Sequence, residues 1–102
     1  MPKTVSIAMA AVLYLPATHY AHAQKEVVGM LAMLSLAPDV CSWSDAASPL
    51  KIDEQIDVQL KTLGMSAEDW RQIRNAAKAS LQADPANCKD AGFRSVYDEA
   101  AK

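Results

Sequence analysis

Apolar residues recur at helical spacing along most of the chain, and nowhere do they alternate in the period-two pattern of a half-buried strand. Ser48-Pro49 starts one such stretch, with serine as N-cap and proline at the first helical position, where its missing N–H costs nothing. Ile52, Ile56, Leu60 and Leu63 then form a single stripe, and Gly64 suits the left-handed cap that ends a helix. Ser66-Ala67-Glu68-Asp69 starts the next helix, with acidic residues in its positive first turn. Trp70, Ile73, Ala77 and Leu81 carry its stripe, and Asp84-Pro85 stops it. The short connection predicts that these two helices lie antiparallel as a central hairpin. A final helix comes after them with Asn87 as its expected N-cap, and Phe93, Val96, Tyr97 and Ala100 line its apolar side.

Before the hairpin, Gln24 to Ala37 reads as a helix ended by Pro38-Asp39. Val27, Leu31 and Leu34 form its stripe, flanked by Val28 and Met30. The opposite side, with Gly29, Ala32, Met33 and Leu36, is apolar too. A helix apolar all round is either buried on every side or has a second partner. The small residues permit close backbone approach, and Met33 adapts to irregular surfaces. Gly29, Ala32, Met33 and Leu36 are therefore the candidate partner-binding face, for a second copy or for another envelope protein. The connector Val40 to Ala47 carries Cys41 and Trp43, and Trp43 is expected to pack beside a bridge at Cys41.

The first 23 residues have a different character. A short basic start, an apolar run from Val5 to Leu15, the break at Pro16 and the small residues of Ala21-His22-Ala23 have the layout of a secretory signal peptide. Cleavage is expected between Ala23 and Gln24, leaving a helical domain over residues 24–102. The apolar run is shorter than the roughly 20 residues of a membrane span. Removal takes Lys3 with it, so the formal charge moves from −2 to −3. His19 and His22 are also lost, leaving no imidazole for general-base chemistry, metal ligation or a near-neutral pH switch. A mildly acidic chain without a basic run is poorly suited to nucleic acid.

The chain holds two cysteines, Cys41 and Cys88, on either side of the expected hairpin. In an exported chain of this size they read as one intramolecular disulfide. Chain entropy assigns such a bond about 4 kcal/mol. A redox pair is not indicated, because Cys-x-x-Cys is absent. A zinc site is not indicated either, since two sulfurs without histidine do not supply four ligands. Asp53 and Asp57 share a helix face, read as a solvated acidic side rather than as paired catalytic carboxylates. No nucleophile elbow or phosphate-cradling glycine loop is present, so neither catalytic residues nor a cofactor is expected.

The expected fold is all-α: a small four-helix domain with a central antiparallel hairpin and one disulfide, after a cleaved signal peptide. The expected function is protein–protein interaction by a periplasmic or secreted protein that is not an enzyme. Its layout, with one disulfide spanning much of a small helical chain, resembles that of periplasmic acid-stress chaperones of the HdeA kind. The resemblance covers layout alone, since the tryptophan here follows Cys41 and no motif is shared. It implies acid-activated client binding as an alternative role. A second alternative is weak Cu(I) handling through Met30 and Met33, a Met-x-x-Met spacing of soft thioethers.

Overall fold

In the computed structural model, the backbone is described for residues 17–102 and side chains from Lys25 onward. Residues 1–16 lie outside this description, and with them most of the expected signal peptide. Among the described residues four α-helices succeed one another: α1 (Ala17–Val40), α2 (Leu50–Leu63), α3 (Ala67–Ala83) and α4 (Ala91–Ala100). A 3-10 turn, Pro85–Lys89, lies between α3 and α4, and no strand occurs among the described residues. The all-α fold is therefore as expected, and a disulfide joins Cys41 to Cys88 with a Cα–Cα distance of 5.3 Å.

α1 is longer than its predicted span at both ends. It already runs at Ala17, passes the expected cleavage point without a break, and includes Pro38. Proline removes one backbone bond, but residues 41–43 fasten the last turn. Cys41 N–H donates to Ala37 C=O at 2.7 Å, Trp43 N–H to Pro38 C=O at 2.9 Å, and Ser42 N–H to Asp39 C=O at 3.4 Å. The last two form the paired bonds of a Schellman cap around Ser42, whose φ is +57°. Pro38 thus sits inside the final turn, and the helix stops only beyond it.

The other helix ends follow local chemistry more closely. Pro49 rather than Ser48 is the N-cap of α2, although Ser48 Oγ still accepts the Leu50 N–H at 3.3 Å, and Gly64 closes the helix at φ +63°. Ser66 and Asp69 form a reciprocal capping box on α3, with bonds of 3.1 and 3.3 Å. Asn87 does not cap the last helix. It belongs to the 3-10 turn, and Asp90 takes the role by accepting from Gly92 N–H at 2.8 Å and Phe93 N–H at 3.2 Å. Asp90 wins because Pro85 at the head of the turn spends residues 85–89 on tighter bonds before the α-helix begins.

The packing departs from the expected hairpin. α1 lies at the centre, and α2 and α3 pack chiefly on it. On one side Leu34 meets Ile52 and Ile56 of α2, together with Tyr97 and Ala101. On the other, Ala32 and Leu36 meet Ala77 and Leu81 of α3. Trp70 and Phe93 border both clusters, filling the space between α2 and α3. Turn length makes the chain reverse but does not oblige the two helices to touch. An all-round apolar α1 offers each of them more area to bury. Val96, expected in the core, is 51% exposed, and the inward positions are Tyr97 and, one turn later, Ala101.

Candidate functional site

The candidate site is a groove along the first part of α1. Ala32 and Leu36 pack into Ala77 and Leu81, bringing α1 and α3 close at that level. Lys25 shares a hollow with Met65 and Asp69 at the start of α3, so the two helices run in the same direction. Between these levels the side chains are small. A Cβ added to Gly29 meets nothing within 4 Å, and Ala76, Ala77 and Ser80 face it from α3. The result is an open trough of about 480 Å³, with Met30, Met33 and Ile73 as its apolar walls and Lys25 and Glu26 at one end. A second hollow on the adjoining side of α1 is lined by Glu26, Val27, Met30 and Leu31. Met30 and Val27 stand out between solvent and these hollows, 55% and 50% exposed.

The four residues of the candidate partner face separate in the structure. Gly29 and Met33 line the trough, while Ala32 and Leu36 are buried against α3. It is α3 that covers this side of α1, not the connector through Trp43. Met30, Ile73, Ala76 and Ser80 complete the trough, and the partner-face pattern did not include them. The signal for the α3 residues was present as Ile73, Ala76 and Ser80, an apolar residue followed by two small ones along one side of the helix. Met30 and Met33 both border the trough, but two thioethers alone make a poor Cu(I) donor set. Among the described residues, no three His, Cys, Asp or Glu side chains gather as a metal-holding group. What the trough offers is apolar area with small residues at its floor, a shape that receives protruding side chains of another helix.

A second feature, at the opposite end of α1, is the bridged end. Trp43 Nε1–H donates to the Cys88 carbonyl at 3.2 Å, so Trp43 does pack beside the disulfide. Its ring lies 5.8 Å from Phe93 and 5.6 Å from Tyr97, the latter edge-on. The Arg94 guanidinium sits 4.9 Å from the Trp43 ring centroid and pairs with Asp45 at 3.3 Å and Asp98 at 3.0 Å. Hydrogen bonding from Arg94, supported by a backbone bond and its charge, holds the Asp45 carboxyl below the usual value of 3.8. Tyr97 is fully buried, and its hydroxyl donates to the Ala47 carbonyl. Burial pushes its phenol above the usual 10.0, against a smaller opposing pull from Arg94. This cluster is closed and internally satisfied; the trough is open. Comparison of the chain with known protein families, curated proteins and solved structures finds no match to any of them.

Proposed function

We propose that this is a small exported helical protein, periplasmic or secreted, that acts by protein–protein interaction and performs no catalysis. Its partner at the α1–α3 trough is a second copy of the same chain. The observation that carries the reading is the pairing of trough and ridge on one helix. Gly29 and Met33 open the trough, while Val27 and Met30 project beside it. A two-fold interface uses the same patch from both copies, so it requires a surface that complements itself. A ridge next to a trough meets that requirement, and the open space at Gly29 allows two α1 helices to cross closely. Export is supported by the leader-like start and by the disulfide.

The paired substitution Met30→Glu, Met33→Glu tests the interface. Neither side chain is fully buried, so the fold should persist, with a thermal midpoint within a few degrees of the parent. Self-association should be lost, because four added carboxylates would face one another across the two-fold. Undiminished association in the double variant would contradict the proposal. So would collapse of the fold, which would make the trough wall part of the core.

A further inference from the structure

The covalent and polar links between the C-terminal segment and the rest of the chain converge on one short stretch, while its apolar contacts, through Phe93, Tyr97 and Ala101, reach the helices. Among the described residues, the non-local hydrogen bonds and ion pairs of residues 85–102 end on the connector between α1 and α2. Cys88 is bonded to Cys41, and its carbonyl accepts from Trp43. Arg94 pairs with Asp45, and Tyr97 donates to Ala47. The connector and the segment are thus zipped together, with the disulfide at the head of the zipper. α4 has ten residues, too few to persist as a helix without a surface to dock on. Tyr97 and Ala101 of the segment complete the α1–α2 cluster, whereas the buried residues of the α1–α3 cluster all come from those two helices. α1 is held to α3 through Ala32, Leu36, Ala77 and Leu81, and to α2 through Leu34, Ile52, Ile56 and the Ser35–Asp53 hydrogen bond.

We propose that Cys41–Cys88 is a redox catch, whose reduction by a dithiol frees residues 85–102 and uncovers an apolar face of α1 and α2. Both cysteines are only partly buried, so a thiolate has access to the bond. The thiolate attacks one sulfur, the Cys41–Cys88 bond breaks, and a mixed disulfide forms. The second thiol of the reductant then displaces that cysteine. Two electrons and two protons pass to the cysteines, and the reductant leaves as its own disulfide. Without the covalent head, the contacts of Trp43, Asp45 and Ala47 lose the high effective concentration that kept them engaged. α4 then departs, taking Tyr97 off Leu34, Ile52 and Ile56. The exposed face differs from the α1–α3 trough, so this inference stands or falls independently of the proposed dimer.

Hydrogen exchange of the whole chain, before and after treatment with dithiothreitol, tests the catch. Amides of residues 91–101 should exchange at least about tenfold faster once reduced, while those of residues 28–37 in α1 stay protected. Reoxidation should restore the slow exchange. The double variant Cys41→Ser, Cys88→Ser should show the reduced pattern without any reductant. Unchanged protection over residues 91–101 would overturn the proposal. Simultaneous loss of protection in all four helices would also overturn it, since the bond would then staple the whole fold.

Discussion

The phenol of Tyr97 lies against Leu34, Ile52 and Ile56, so ionising it places a charge in an apolar cluster. Its folded pKa is raised above the unfolded value of about 10, chiefly by burial. The neutral form is the one the fold favours. Stability is therefore fully present below pH 10 and declines as pH rises through the folded pKa. Asp45 has the opposite sign. Its folded pKa is depressed by Arg94, so what it contributes is present above 3.8 and lost as pH falls through the lower folded value. Asp45 is fully exposed, which keeps that acidic effect small. Thermal midpoints should thus hold across neutral pH and fall on the alkaline side, and Tyr97→Phe should reduce the alkaline fall. An alkaline limb unchanged in Tyr97→Phe would contradict the assignment. Tyr97 is the sole tyrosine after Ala23, so phenolate absorbance of a chain beginning at Gln24 reports this group alone. The sequence identified Tyr97 as core from its spacing. Its hydrogen bond to Ala47 was not legible, because the two residues meet only when the connector folds back.

Helix ends were the most legible elements, because a cap is decided by neighbours within a few residues. Gly64, the Ser66–Asp69 box and the stop at Asp84-Pro85 all arise from local chemistry. The exceptions are instructive. Pro38 read as a terminator, yet the chain beyond it completes a Schellman cap and is tied down by Cys41 and Trp43. The residue at the left-handed position of that cap is Ser42 rather than glycine. A Cβ there is unfavourable, so Ser42→Gly should stabilise the domain by about 0.5–1 kcal/mol in denaturant unfolding. A loss of stability of that size would show that the Ser42 side chain contributes more than its backbone strain costs. Stripes were legible as well, but not the surfaces they meet. The α2 and α3 stripes suggested a mutual hairpin, whereas both are satisfied by α1, and Trp70 with Phe93 occupies the space between.

At the scale of the molecule, one helix organises the fold. α1 carries Val28, Ala32, Leu34, Leu36 and Ala37 into the interior on several sides, which accounts for its all-round apolar character. Ala32 and Leu36 are spent on α3, and the apolar surface left over is that of Val27, Gly29, Met30 and Met33, the last three beside Ile73 and Ala76. The sequence marked that helix as having more apolar surface than one core needs. It did not locate the surplus, because the boundary between core and trough depends on where α3 comes to rest. On the proposed reading, this surplus is covered by a second copy. Sedimentation equilibrium of the disulfide-intact chain over a range of concentrations tests it directly. A reversible monomer–dimer equilibrium is predicted, whereas a single monomer mass at every concentration would contradict it.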